Sequence, residues 1–190
     1  NGLIIAQDSS SIRVGEVVNP TPGSCVLDVC SAPGGKSMHM AAIMNNTGSI
    51  TSCDVYDHKL DKIKDNANKL SVAIINTILA DGTSYNYDNT YDYVLADVPC
   101  SGLGVIGHKP DLKYHLTMKD ILDINKLQKQ IVNHVKNFVK NGGYLVYSTC
   151  TINKLENEWF IKDFLRENTE FTKIEEEIIL NCKLIPTEVI

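Results

Sequence analysis

The sequence predicts an α/β fold in which a mostly parallel sheet carries helices on both faces. Short apolar runs rich in Val, Ile and Cys alternate with longer amphipathic segments, the pattern of strands buried on both sides and the helices that cover them. The predicted strands also end in turns bearing Gly, Asp or Cys. At 190 residues, with 43% apolar and 22% charged residues, the chain suits one domain with a substantial core.

Taken in order, Asp8-Ser9-Ser10-Ser11 caps a short helix reaching about Val18, and Asn19-Pro20-Thr21-Pro22-Gly23 turns into the first strand. Strands are predicted over Cys25-Cys30, Ser49-Asp54, Ile74-Ala80, Tyr91-Asp97 and Gly143-Thr149, with helices over Lys36-Met44, Asp57-Leu70 and Met118-Lys140. In the last helix Ile124, Leu127, Ile131, Val135 and Phe138 recur at spacings of three and four, one apolar stripe. Asn141-Gly142-Gly143 is expected to end it, because glycine tolerates the left-handed cap. Asn153-Glu167 forms a further helix with Trp159, Phe160 and Phe164, and the tail after Phe171 holds a final strand or two.

Composition excludes several classes of function. No apolar run approaches the ~20 residues of a membrane span, and Asn1-Gly2-Leu3 does not open a signal peptide, so the expectation is a cytoplasmic protein without a membrane partner. Six cysteines, Cys25, Cys30, Cys53, Cys100, Cys150 and Cys182, show no CxxC pair and no disulfide framework and are read as reduced thiols. His39, His58, His108, His115 and His134 have no ligand spacing, and no metal is expected. The net charge of -5 offers no global attraction for nucleic acid. Any such partner is held by a local patch or another domain. A monomer is the default.

Val29-Cys30-Ser31-Ala32-Pro33-Gly34-Gly35-Lys36-Ser37 joins the first strand to the first sheet-covering helix. A phosphate-binding GxxxxGK[ST] loop ending at Gly35-Lys36-Ser37 would need glycine where Cys30 stands, and GxGxxG is also absent. What remains is a strand-turn-helix unit at the sheet's carboxyl edge, where glycines let a ligand approach the backbone. Asp54, Asp81 and Asp97 follow the next three strands. Several carboxylates along one edge suit hydroxyl and amino donors rather than a polyphosphate, and an acid about 20 residues past the turn is placed for a ribose diol. A nucleoside with a cationic appendage fits, and S-adenosylmethionine is such a molecule. Turn capping is the competing explanation for each acid.

Asp97-Val98-Pro99-Cys100-Ser101-Gly102-Leu103-Gly104 and Tyr147-Ser148-Thr149-Cys150-Thr151 put two thiols just past strand ends, facing the same crevice. Methylating a pyrimidine at C5 calls for a thiolate, since that carbon becomes nucleophilic once sulfur adds at C6. An ordinary thiol is mostly protonated at neutral pH, and the positive end of a helix starting near Asn153 would favour thiolate at Cys150. Asp97 could bind the cytosine amino edge and stabilise protonation at N3. Cys25, Cys53 and Cys182 read as small buried hydrophobes, and Cys30 as a packing residue of the turn.

Those stretches, with Lys109-Pro110-Asp111, Glu156-Asn157-Glu158 and the entry segment Gly2-Leu3-Ile4-Ile5-Ala6-Gln7-Asp8-Ser9-Ser10-Ser11, resemble the Sun family of RNA 5-methylcytosine methyltransferases over nearly the whole chain. The resemblance implies a Rossmann-like S-adenosylmethionine-dependent fold, usually seven-stranded with an antiparallel last hairpin. Cys30, Ser31, Ala32, Pro33, Gly34, Gly35 and Lys36, with Asp54, Asp81 and Asp97, would line the cofactor site. Cys150 would be the nucleophile and Cys100 would assist release of methylated RNA, so that Cys150, Cys100 and, from the residue reading above, Asp97 are the candidate catalytic residues. Cys100 is the alternative nucleophile, as in DNA cytosine methyltransferases. The implied substrate is RNA, 16S ribosomal RNA in particular, and not DNA. Transfer RNA, another ribosomal position, and a non-catalytic RNA-binding module remain alternatives. Residues 1–190 are expected to be a single catalytic domain, with 1–22 as its entry segment and the family's N-terminal RNA-binding domain outside it. Gly107-His108 stands where relatives often carry basic residues, and the C-terminal paired-phenylalanine motif is missing.

Overall fold

A computed structural model describes residue 4 and residues 6–105, 116–174 and 187–189. Lys109-Pro110-Asp111, Gly107-His108, His115 and Cys182 lie outside them. The elements run α1 (Ser9–Val18), β1 (Cys25–Asp28), α2 (Gly35–Ile43), β2 (Ser49–Asp54), α3 (Asp57–Lys69), β3 (Ile75–Leu79), β4 (Tyr91–Asp97), α4 (Met118–Val135), β5 (Val139–Ser148), α5 (Glu158–Glu167) and β6 (Thr187–Val189).

The sheet order is β3-β2-β1-β4-β5-β6. β1 to β5 are parallel, and β6 pairs antiparallel with β5. The described residues thus hold six strands of the seven expected. The chain winds outward from β1 to β3 and then returns beside β1 with β4. This reversal opens a crevice at the carboxyl ends of β1 and β4, the ligand position of open α/β sheets.

Successive strand residues feed opposite cores, as a two-residue period requires. Leu27, Val94, Leu145 and Tyr147 pack with Ile131, Val132 and Val135 of α4 and Phe160 and Phe164 of α5. Val26, Ile50, Leu95 and Val146 pack on the other face with Val14, Val17 and Val18 of α1 and Met40 and Ala41 of α2. Trp159 is exposed.

The predicted start of α1 holds, with the Asp8 carboxylate accepting from Ser10 N at 2.9 Å. Thr117 and Asp120 cap α4 reciprocally, so the helix begins at Met118 as expected. Its end differs: α4 stops at Val135, one 3-10 turn covers Lys136–Phe138, and the chain enters β5 at Val139. Asn141-Gly142-Gly143 is therefore inside β5 rather than a helix cap. The register jumps from Tyr91↔Val139 to Tyr93↔Tyr144, and Gly142 takes φ 77° within this irregularity. The glycines serve a bulge. The helix predicted over Asn153-Glu167 is a 3-10 turn, Lys154–Glu156, followed after Asn157 by α5. A three-residue turn has little dipole, so the helix-end field expected beside Cys150 is not supplied by this segment.

Candidate active site

The turn after β1 is fixed from beneath. Ser31 N donates to Cys53 O at 2.8 Å and Gly34 N to Ser31 O at 2.7 Å. Gly34 has φ 96°, and a Cβ there would meet Ile63 at 3.3 Å, so this position favours glycine on both counts. Below it, Ser37 Oγ donates to Asp28 Oδ2 at 2.7 Å and lies 2.8 Å from Ser31 Oγ and 2.7 Å from Ser52 Oγ. Burial raises the Asp28 carboxyl to about 6, against the Ser37 hydrogen bond.

A cleft of about 690 Å³ opens over the carboxyl ends of the strands. Of the turn residues, Cys30, Ala32 and Lys36 line it. The Ser31 hydroxyl faces the buried serines, the Pro33 carbonyl accepts from Asn66 Nδ2 at 3.0 Å, and Gly34 and Gly35 form the start of α2.

All three predicted acids line the cleft. Asp54 is 7% exposed, accepts from Tyr56 N at 3.1 Å and lies 3.4 Å from Lys59 Nζ. Asp81 accepts from Thr83 N and Oγ1 at 2.8 and 2.7 Å, bonds that lower its pKa. Both acids thus cap their own turns as well as facing the cleft. Asp97 accepts from Ser148 Oγ at 2.6 Å and pairs with Lys36 Nζ at 2.7 Å. Burial alone lowers the pKa of Lys36, but Asp97 outweighs it, with smaller contributions from Asp28 and Cys150, and the pKa of Lys36 is raised.

The two cysteines meet. Cys100 Sγ and Cys150 Sγ are 3.0 Å apart, and Cys150 N lies 3.2 Å from Cys100 Sγ. That is hydrogen-bond distance, well beyond a disulfide bond of about 2.05 Å. Cys150 is exposed while Cys100 is half-buried, and the hydrogen bond to Cys150, with burial second, pushes the Cys100 thiol well up. Gly104 N donates to Cys150 O at 3.1 Å, and a Cβ on Gly104 would stand 2.7 Å from that oxygen. Of the cysteines read as packing residues, Cys53 is buried, Cys25 is half-buried, and Cys30 both packs on the core and lines the cleft.

Sequence reasoning missed Ser10, Ser11 and Val14 of α1, Tyr56 and Lys59 before and within α3, and Leu127 and Ile131 of α4, all of which line the cleft. The serines stood in the quoted entry segment, and Leu127 and Ile131 in the apolar stripe; neither pattern distinguishes a core-facing residue from a cleft-facing one. Among the described residues no group of three His, Cys, Asp or Glu side chains could hold a metal ion, and no helix is long and apolar enough to cross a membrane.

The cleft is large enough for a nucleoside, is lined by the carboxylates of Asp54, Asp81 and Asp97, and lies beside the turn that holds Gly34 at positive φ. The family model "16S rRNA methyltransferase RsmB/F" matches residues 15–184. A Bacillus subtilis protein named "Probable ribosomal RNA small subunit methyltransferase B" is 42% identical over 174 residues, 90% of this chain and 39% of the relative. A Pyrococcus abyssi "tRNA (cytosine(49)-C(5))-methyltransferase" is 36% identical over 89% of this chain and 54% of its own length. The crystal structure of NSun6 from Pyrococcus horikoshii with SFG superposes with a TM-score of 0.84 at 27% identity, over 96% of this chain and 50% of that one. This chain therefore spans about half or less of these relatives, and it belongs to the 16S rRNA methyltransferase RsmB/F family.

Proposed function

We propose that residues 1–190 form the catalytic domain of an S-adenosylmethionine-dependent RNA cytosine-C5 methyltransferase acting on 16S ribosomal RNA, with Cys150 as nucleophile. The observation that carries this reading is the pair of thiols 3.0 Å apart in the cleft that also holds Asp54, Asp81 and Asp97. Bound S-adenosylmethionine supplies an electrophilic methyl group on a sulfonium. The turn residues Cys30 and Ala32 and the Asp54 and Asp81 carboxylates, which line the cleft, would hold it.

The Cys150 thiolate would add to cytosine C6, and the ring electrons displaced to C5 would make that carbon nucleophilic toward the sulfonium methyl, whose bond to sulfur breaks with a neutral thioether as leaving group. Loss of the C5 proton to solvent would leave its bonding pair to form the C5–C6 double bond as the Cys150 thiolate departs. Asp97, oriented by Lys36 and Ser148, accepts from the cytosine amino group and stabilises the proton at N3 as sulfur adds. The raised pKa of Cys100 keeps it a thiol, which favours the exposed Cys150 as the attacking group and leaves Cys100 beside the departing sulfur.

The family description and the Bacillus relative favour 16S ribosomal RNA, and the archaeal relative keeps transfer RNA as the competing substrate. A single-turnover assay with labelled S-adenosylmethionine, followed by nucleoside analysis of 16S and transfer RNA, tests the reading. 5-Methylcytidine in 16S RNA is expected. Product in transfer RNA alone overturns the target, and none in either RNA, with cofactor binding intact, overturns the catalytic assignment.

A further inference from the structure

Glu156 is fully buried six residues after the exposed Cys150, in a segment whose Ile152 and Lys154 are exposed. An acidic side chain without solvent needs donors, and here they come from the other cysteine loop. Ser101 N donates to Glu156 Oε1 at 2.8 Å and Ser101 Oγ to Oε2 at 2.5 Å. Gln128, itself fully buried in α4, donates to the same Oε1 at 3.0 Å and to Pro99 O at 2.9 Å. From the sheet side, Tyr147 Oη donates to the Glu156 carbonyl at 2.6 Å. Glu156 thus ties the segment after Cys150 to Ser101 directly and to Pro99 through Gln128.

Asn157 completes the other half. It accepts from Thr149 Oγ1 at 2.6 Å and donates to Thr151 O at 2.9 Å, bracketing Cys150 from both sides. Neither loop is regular structure at its cysteine, so the thiol-to-thiol distance depends on these bonds.

We infer that Glu156 is a positioning residue for the reaction: its buried carboxylate clamps the Pro99–Ser101 loop to the Cys150 loop and so sets the two thiols in reacting register. The inference rests on the proposed cysteine chemistry for its functional meaning, but its geometry is testable without RNA. It also specifies which property of Glu156 matters. The three donors need an acceptor of this length, not a charge: in Glu156→Gln the amide oxygen can keep Ser101 N and Gln128, while the amide nitrogen donates to Ser101 Oγ, whose hydroxyl then turns to Thr151 Oγ1, now 2.8 Å away. Glu156→Ala strips Ser101 N of its acceptor and leaves Gln128 with Pro99 O alone and Ser101 Oγ with Thr151 Oγ1 alone, so no side chain joins the two loops through this point.

The experiment is thiol bridging by dibromobimane, which fluoresces when both arms have reacted, with Cys100→Ala as background and circular dichroism as the folding control. Bridging in Glu156→Ala should fall roughly tenfold or more, since about 1 Å of misplacement is enough for effects of that order, while Glu156→Gln should stay within about threefold of wild type. Methyl transfer in a single turnover should follow the same order, with the affinity for S-adenosylmethionine unchanged. Should Glu156→Ala fail to fold, Ser101→Ala, which removes the donor to Oε2, is expected to slow bridging by severalfold in a folded protein. Undiminished bridging in folded Glu156→Ala, or in Ser101→Ala where that variant is the one available, overturns the inference. So does loss of bridging in Glu156→Gln equal to that in Glu156→Ala. A wild-type chain that bridges in this pattern yet never methylates cytidine would instead overturn the catalytic reading and leave the clamp standing.

Discussion

Lys36 Nζ lies 2.7 Å from Asp97 Oδ2, joining the first turn of α2 to the carboxyl end of β4 across the point where the sheet reverses order. The pair stands between the glycine turn and the cysteines, and Lys36 also feels the Cys150 sulfur. An ammonium there stabilises negative charge on two sides at once, at Asp97 and at Cys150.

Lys36→Met should therefore slow single-turnover methylation by about 100-fold, the order seen when one group stabilising a transition-state charge is removed. Iodoacetamide should also alkylate Cys150 more slowly in that variant, which peptide mass spectrometry reads directly. Alkylation at the wild-type rate would show that the ammonium does not act on Cys150.

The two thiols should react in a fixed order. Cys100 is held as a thiol by its hydrogen bond to Cys150 and by burial, so alkylation near pH 8 should modify Cys150 first. Cys150→Ala removes the larger cause and should speed alkylation of Cys100. With RNA and S-adenosylmethionine, Cys150→Ala should give no methyl transfer, whereas Cys100→Ala should accumulate a protein-RNA adduct stable in denaturing gels. Adduct in Cys150→Ala instead would make Cys100 the nucleophile.

Asp54 and Asp81 close neighbouring strands but are not equivalent. Asp81 is exposed and both of its Thr83 bonds fall on Oδ1, while Asp54 is buried at the cleft wall. A hydrogen bond to a charged group, of about 1.5–3 kcal/mol, predicts roughly 10- to 100-fold weaker S-adenosylmethionine binding in Asp54→Ala by titration calorimetry. Asp81→Ala should weaken it less. Equal affinity in Asp54→Ala and wild type would move the cofactor away from the end of β2.

Alternation of apolar runs made β1 to β5 legible because a strand buried on both faces leaves a continuous apolar stretch, as Val26-Leu27 and Val94-Leu95-Ala96 do. The thiol pair was legible as two strand-end cysteines, although only the folded chain gives their 3.0 Å separation. Gly142-Gly143 misled because a helix cap and a strand irregularity both use glycine's left-handed freedom, and pairing with Tyr91 decides between them. Gln128 carried a signal that went unread. It lies four residues after Ile124 and three before Ile131, and an amide on that stripe implies buried partners at equal depth, here Glu156 and Pro99.

Asp28 makes stability depend on pH in the direction opposite to a paired surface carboxylate. Its folded pKa, about 6, exceeds the ordinary 3.8, so between those values the folded chain holds a proton that the unfolded chain has released. The unfolded state binds fewer protons there, and stability falls as pH rises through the window and levels above it. Full deprotonation would cost about 3 kcal/mol, of which about 1 kcal/mol falls between pH 5 and pH 7. The acids whose pKa is lowered by hydrogen bonds, Asp81, Asp92, Asp120 and Glu170, act with the opposite sign, and their ordinary values of 3.8 and 4.5 place the effect mainly on the acid side of pH 5. Urea unfolding of the wild-type chain should thus show lower stability at pH 7 than at pH 5, and Asp28→Asn, which cannot titrate, should lose that difference. The same slope in both proteins would place the proton elsewhere and leave the Ser31-Ser37-Ser52 network with a carboxylate charged at both pH values.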